Sequence, residues 1–319
     1  MKTNAWTVKS DDVSPAGLGT YPGARSIPDL LENGFVILDK WSGPTSHDVT
    51  ATVKQLLGIA KAGHAGTLDP GVSGVLLVTL SNGCKVIPAL QQLGKEYVGI
   101  MQLHHDVEPA TLRNVVQSFV GSISQLPPKR SAVARKQRTR NVYAFDILEQ
   151  HGRTVLFRIR CSAGTYVRVI CHDIGKKVGG AHMAELRRTA VGAFTEQRCV
   201  KIQDLADAFV FWKENGDQSI RNYILPIEAA IEQIGKIIVK DSAIFSLTNG
   251  ALLATTGVAR FENSIKKGDL IALLSLKGEL IALAHAMMDA DDMKRMRGLA
   301  AQPDRVIMKK GMYPDLMHI

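Results

Sequence analysis

The chain has 319 residues, 45% apolar and 22% charged, enough for one large domain plus a smaller one with ample cores. Its formal net charge of +9 favours a polyanionic partner such as nucleic acid. No apolar run approaches the ~18 residues of a membrane span, the N-terminus lacks the apolar core of a signal peptide, and Cys84, Cys161, Cys171 and Cys199 form no C-x-x-C pair. These features argue against a membrane protein, a zinc ribbon and a dithiol redox motif, and scattered thiols of this kind suit a cytoplasmic protein.

Residues 1–33 mix glycine and proline and cannot bury a core alone. They are expected to form an arm that packs on something else. Phe35–Asp39 has a strand pattern. Gly43-Pro44 then makes a turn, and Thr45 or Ser46 can cap a helix carrying Val49, Val53, Leu56 and Leu57 on one face, with Gly58 at its end. Next comes Gly63-His64-Ala65-Gly66-Thr67-Leu68-Asp69-Pro70-Gly71-Val72-Ser73-Gly74, a glycine-rich loop with one carboxylate near its middle. Pro70 restricts Asp69 to extended backbone, and the glycines allow close approach of another molecule. Val75–Leu80 is a short apolar run of the kind that forms a buried strand. Read plainly, such a loop is a turn. Read chemically, it holds a carboxylate on a close-approach surface.

Tyr97 falls in a strand pattern. Ala110–Ile123 reads as an amphipathic helix with Leu112, Val115, Val116 and Phe119 on one face. Between Lys129 and Arg140 six of twelve residues are basic (Lys129, Arg130, Arg135, Lys136, Arg138 and Arg140) and none is acidic, a composition that suits a phosphate backbone. Tyr143–Leu148 and Thr154–Cys161 form an expected hairpin about His151-Gly152. Val167, Ile170, Ile174 and Val178 have helix spacing, with Arg168 pointing away from the stripe near the helix start. The macrodipole disfavours a cation there, so an anion is expected nearby. His182–Thr189 reads as helical, with Leu186 an ordinary core leucine on this reading alone. Residues 201–235 read as a helical linker. From about Lys236 short strands and glycine turns take over: Ile237–Val239, a helix capped by Asp241 and ended by Asn249-Gly250, strands at Leu270–Leu276 and Leu280–His285, and a closing strand within Val306–Pro314.

GHAGTLDPGVSGVL resembles the catalytic motif of the TruB family of pseudouridine synthases. The KWSGPTS segment, with Trp41 where the family usually has proline, Lys95-Glu96-Tyr97, Gly164-Thr165-Tyr166-Val167-Arg168 and Leu186-Arg187-Arg188 follow in the family's order. Asn249–Leu253 and Ile265–Leu270 resemble a PUA domain, an RNA-binding module. The resemblance implies an α+β fold: a mixed, mostly antiparallel catalytic sheet at residues 34–233, and a small mostly-β PUA barrel at 234–319. It implies Asp69 as the catalytic carboxylate and Arg168 as its ion-pair partner. Tyr97 would stack on the target base and serve as proton acceptor. His64, Leu186, Gly66 and Thr67 would bind the substrate nucleotide, and Asn249 and Gly250 would belong to the RNA-binding surface.

No cofactor is implied, and no metal, since the chain lacks a ligand cluster. Within the family, the arm and the large PUA domain favour the archaeal homologue of dyskerin. Its partners would be an H/ACA guide RNA, rRNA and tRNA substrates, a small zinc-ribbon protein, a Gar-type β-barrel protein and a kink-turn-binding ribosomal-type protein. A stand-alone enzyme acting on the tRNA T-loop is one alternative. A non-catalytic RNA-binding scaffold is another.

Overall fold

A computed structural model describes residues 5–126 and 136–316. The arm contributes β1 (Trp6–Val8) and α1 (Ile27–Glu32). The large domain follows: β2 (Gly34–Lys40), α2 (Ser46–Leu56), β3 (Ala62–His64), β4 (Ser73–Leu80), α3 (Ile87–Gln91), β5 (Lys95–Leu103), α4 (Pro109–Gln117), β6 (Gly121–Gln125), β7 (Arg138–His151), β8 (Thr154–Cys161), α5 (Val167–Val178), β9 (Ala181–Val191), β10 (Phe194–Thr195), α6 (Ile202–Asn215) and β11 (Leu225–Pro226). Its ten strands run in the order β11-β2-β4-β9-β5-β8-β7-β6, with β3 added on β4 and β10 on β9. Every pairing is antiparallel except β4–β9, where Ser73 faces Arg187 and Gly74 faces Arg188. That join requires glycine: Gly74 has φ +101°, and a Cβ there would collide with the Arg188 carbonyl.

Alternation divides the sheet into two buried faces. Val36, Leu38, Leu76 and Val78 face α2, α4, α5 and α6, which contribute Val49, Leu112, Ile170 and Leu205. Phe35, Ile37, Val75 and Leu77 face the other way and pack with Ala272, Leu274, Leu283 and Ile307 of the second domain. A shared apolar core therefore joins the two domains.

The second domain adds β12 (Gly235–Val239), α7 (Asp241–Thr248), β13 (Leu253–Ala254), β14 (Val258–Glu262), β15 (Leu270–Leu274), β16 (Leu280–Ala286), α8 (Ala290–Arg295) and β17 (Leu299–Val306). Its sheet order is β1-β14-β12-β15-β16-β17-β13, so the arm supplies an edge strand, with Trp6 opposite Glu262 and Val8 opposite Arg260. Further along the arm, Lys9 Nζ donates to the Thr255 and Met293 carbonyls at 3.1 and 2.9 Å. Glu279 accepts from Thr20 N at 2.9 Å and from the Tyr313 hydroxyl at 2.6 Å. Arg25 forms a two-pronged pair with Glu228 at 2.7 Å.

Several expectations are corrected. The helix expected over 110–123 ends at Gln117; Gly121 turns at φ +104° and Ile123 lies in β6. The segment carrying Leu186, expected as helix, is strand β9, because pairing with β5 and β4 overrides its helix-favouring composition. Residues 201–235 are no linker: α6 buries Leu205 and Ala208, and β11 pairs with β2. Asp241 does not cap α7 but occupies its first position after Lys240, and its Oδ2 accepts from Ser14 Oγ at 2.6 Å. The closing strand is Leu299–Val306, shifted toward the N-terminus of the expected segment, with Pro303 accommodated beside a register shift in β16.

Candidate active site

The Asp69 loop leaves β3 and enters β4. Its backbone is held from several sides. Ala65 N donates to the Leu77 carbonyl at 3.0 Å, and Val72 N closes a turn onto the Asp69 carbonyl at 3.0 Å. Ser46, in the first turn of α2, accepts from Leu68 N at 2.8 Å and donates to the Leu68 carbonyl at 3.1 Å. Thr45 caps that helix in a reciprocal box with Asp48, which fixes where Ser46 sits. Lys40, with no exposed surface, spends all three ammonium protons on the carbonyls of Trp41, Pro70 and Val72 at 2.9, 3.0 and 2.9 Å. Burial lowers its pKa, and the Asp69 carboxylate opposes that shift. The KWSGPTS segment thus clamps the loop from below.

Asp69 itself faces outward. Arg168 Nη2 lies 2.6 Å from Asp69 Oδ2, with both side chains about half exposed at 51% and 48%. Such an exposed pair adds at most ~1 kcal/mol to stability. Its geometric effect is larger, because a charge-assisted bond fixes the direction of the carboxylate. The start of α5 is itself fixed: buried Gln125 donates to the Tyr166 carbonyl at 3.1 Å and accepts from Tyr166 N at 3.0 Å.

Beside the loop, β5 and β9 form a platform. Tyr97 pairs with Arg188 and Gly99 with Leu186, which puts Tyr97, Leu186 and Arg188 on one face. Leu186 lies over Gly99, where a Cβ would come within 2.7 Å of its Cδ1. Arg188 is only 1% exposed, and donates from Nε to the Val75 carbonyl at 2.7 Å and from Nη2 to the Gly66 carbonyl at 3.1 Å. Gly66 holds φ +97° there. Burial raises the Tyr97 phenol above its ordinary pKa, with Arg188 opposing. The phenol therefore carries its proton at neutral pH. Burial, then Arg188 and His47, lower the His64 imidazole, and its buried Nδ1 has no hydrogen-bond partner among the described residues. Lys95 falls to about 8, through burial and then Arg188.

Asp69, Gly66 and Thr67 thus share one loop, which Arg168 meets from the start of α5, with Tyr97 and Leu186 on the adjoining platform; Thr67 is exposed. Lys136, Arg138 and Arg140 lie at and before the start of β7. Arg140 is partly committed to the carbonyls of Gly164 and Thr139, at 3.1 and 2.9 Å. Lys129, Arg130 and Arg135 lie outside the described residues. Asn249 and Gly250 close α7 in the second domain. Lys40, Ser46 and Arg188 are contributors the sequence did not single out; the doubled arginine after Leu186 is the one available signal. Among the described residues no group of three or more His, Cys, Asp or Glu could hold a metal, and no helix is long and apolar enough to cross a membrane.

Comparison with known proteins places this geometry. The TruB family pseudouridylate synthase N-terminal domain matches residues 54–167, and the tRNA pseudouridylate synthase B C-terminal domain matches 168–232. A PUA domain matches 235–307 and a DKCLD domain matches 1–50. The probable tRNA pseudouridine synthase B of Methanosarcina barkeri is 48% identical over 316 residues, covering 98% of this chain and 91% of that protein. Its counterpart in Archaeoglobus fulgidus is 44% identical over 319 residues, covering 99% and 98%. Among solved structures, a chain of a Cbf5-Nop10-Gar1 complex superposes with a TM-score of 0.93 at 45% identity, covering 98% and 97%. A chain of an H/ACA RNP bound to a substrate RNA containing 2′-deoxyuridine gives 0.91 at 43%, covering 98% and 97%. With such identity over nearly its whole length, the chain belongs to the TruB family and is an RNA pseudouridine synthase.

Proposed function

We propose that this synthase isomerises uridines in rRNA chosen by a bound H/ACA guide RNA, with the tRNA T-loop as a further substrate. One observation carries the reading: the likeness to the Cbf5 chain is continuous through arm, catalytic domain and PUA domain, at 45% identity over 98% of the chain. The partners would be the guide RNA, a zinc-ribbon protein, a Gar-type β-barrel protein and a kink-turn binder. The similar Cbf5 chain is itself in complex with Nop10 and Gar1, which supports the two smaller protein partners. The free cysteines support a reducing compartment, the cytoplasm.

The site supports the chemistry as follows. Pseudouridine formation breaks the N1–sugar bond, turns the uracil and joins C5 to the same sugar carbon; the C5 proton leaves and N1 gains one, so the product is an isomer of the substrate. The uridine must first leave its stack. Asp69 supplies the carboxylate that acts on the substrate, and the bond from Arg168 Nη2 at 2.6 Å fixes its direction. Tyr97 and Leu186 provide the surface against which the extruded uracil rests. His64, kept neutral by burial, adjoins the opened RNA without adding charge. Gly66 and Thr67 let the RNA backbone approach.

The test is tritium release from RNA labelled at the uracil carbon that becomes the glycosidic carbon. Release only with guide RNA and accessory proteins, lost in Asp69→Ala, is the expected result. Equal release from bare tRNA by the chain alone would replace guide dependence with the stand-alone reading, which the names of the M. barkeri and A. fulgidus relatives favour.

A further inference from the structure

The segment that clamps the catalytic loop also carries an unexplained side chain. Trp41 is 43% exposed, and its indole makes no hydrogen bond, ring contact or cation contact with any described residue. Its backbone is fixed, because the Trp41 carbonyl accepts from Lys40 Nζ at 2.9 Å. The next two residues are tied to the catalytic loop: Ser42 Oγ donates to the Gly71 carbonyl at 3.3 Å, and Gly43 N to the Pro70 carbonyl at 2.9 Å. An exposed indole thus stands on fixed backbone beside the carbonyls that follow Asp69.

Trp41 borders a groove of about 290 Å³, lined by Asp39, Lys40, Ser73, Arg187, Lys201 and Ile202 among others. Three of its charged residues are cations and one is an anion. Arg187 is committed to Asp39, at 2.9 and 3.1 Å, and to Glu196, at 2.7 Å. Lys40 is committed to backbone. The Lys201 ammonium has no hydrogen-bond or ion-pair partner among the described residues. The groove therefore offers one unused aromatic face and one unused cation. Asp39 and Arg187 project from the sheet face opposite Lys40 and Arg188. Ser73 follows the Asp69 loop at the start of β4, and Ser42 and Gly43 bond to the Gly71 and Pro70 carbonyls, so the groove adjoins that loop.

We propose that this groove is a nucleotide subsite for the substrate RNA, in which Trp41 stacks on a base outside the catalytic pocket and Lys201 meets a backbone phosphate. The proposal rests on the chain acting on RNA and adds to that activity a contact point for the strand beyond the target uridine. A nucleotide is the occupant that matches the lining. Stacking on an aromatic ring combined with a phosphate contact is how single strands are held without base-specific hydrogen bonds. A protein partner would call for a broader apolar patch than Trp41 and Ile202 provide.

The experiment uses the full chain assembled with guide RNA and accessory proteins, and a fluorescein-labelled target strand complementary to the guide. Binding is read by anisotropy, and turnover by tritium release on the same RNA. Trp41→Ala is expected to weaken target binding about tenfold and to raise KM while leaving kcat within about twofold. Trp41→Phe, which keeps a ring, should recover most of that loss. Lys201→Ala should lower the slope of log Kd against log salt by about one. Unchanged binding in Trp41→Ala while the wild type binds and turns over RNA would overturn the subsite and leave the enzyme reading intact. Equal losses in Trp41→Ala and Trp41→Phe would do the same, by showing a packing role. A wild-type assembly that releases no tritium would overturn guided activity, and this subsite with it.

Discussion

The Asp69 loop and the Asn249-Gly250 turn use similar residue types, a short polar side chain near a glycine at positive φ, yet they are held in different ways. The turn is fixed by its own helix: Asn249 Nδ2 donates to the Phe245 carbonyl at 2.9 Å, and Gly250 N to the Leu247 carbonyl at 2.9 Å. The loop is fixed by groups from distant strands and a helix, two of them buried cations. Lys40 and Arg188 between them occupy the Trp41, Pro70, Val72, Val75 and Gly66 carbonyls. A turn that closes a helix is held by local bonds. A loop that must aim one carboxylate is braced from outside itself, and the carboxylate is left free to meet Arg168 and substrate.

This contrast can be broken at its strongest point first. Asp69→Asn keeps the shape of the side chain and removes its charge; tritium release should fall to background, on the order of 10⁴-fold or more, with RNA binding retained. Substantial turnover in that variant would remove the loop's special status. Arg188→Met would leave the Val75 and Gly66 carbonyls without their buried donor. It should cost about 3 kcal/mol in denaturant unfolding, whereas Asn249→Ala should cost less than about 1 kcal/mol. Comparable losses at the two sites would contradict the difference in bracing.

Arg168→Lys tests direction against charge. Because the pair is half exposed, stability should change by less than ~1 kcal/mol. The loss of fixed geometry should reduce kcat by about 10²-fold, read in single-turnover assays.

The smallest effect concerns pH. The folded His64 pKa lies below its ordinary value of about 6.5. The unfolded chain therefore binds the extra proton first as pH falls, and His64 contributes stability above about pH 6.5 that is lost below it. His64→Gln should flatten that part of the stability–pH curve by less than ~1 kcal/mol, measured by unfolding at pH 5.5 and 7.5.

Much of this contrast is legible along the chain. The Asp69 loop, the buried β4 and the outward Arg168 each follow from local pattern: glycine with proline, a continuous apolar run, and a helix stripe with one residue off it. Lys40 is not legible, because a lysine closing a strand looks solvated until the sheet brings Pro70 and Val72 over it. Arg188 is hidden for the same reason. Local pattern puts Leu186 on the wrong element, since His182–Arg188 favours helix by composition and becomes strand only through β5 and β4. Ile123 is misassigned because α4 and β6 are separated by a short turn whose neighbours are amphipathic by either period.

The arm has a consequence for synthesis. Trp6–Val8 is made early, but its hydrogen-bond partners in β14 lie on the far side of the entire catalytic domain in sequence. While the ribosome builds that domain, the arm has nothing to pair with. Once Val258–Glu262 emerges, an unsatisfied sheet edge faces other chains until the arm docks. Closing that edge is a race between an intramolecular strand on a long tether and a neighbour's strand. A chain shortened before Lys9 would forfeit it, and would be expected to clump during production even though every group around Asp69 is intact.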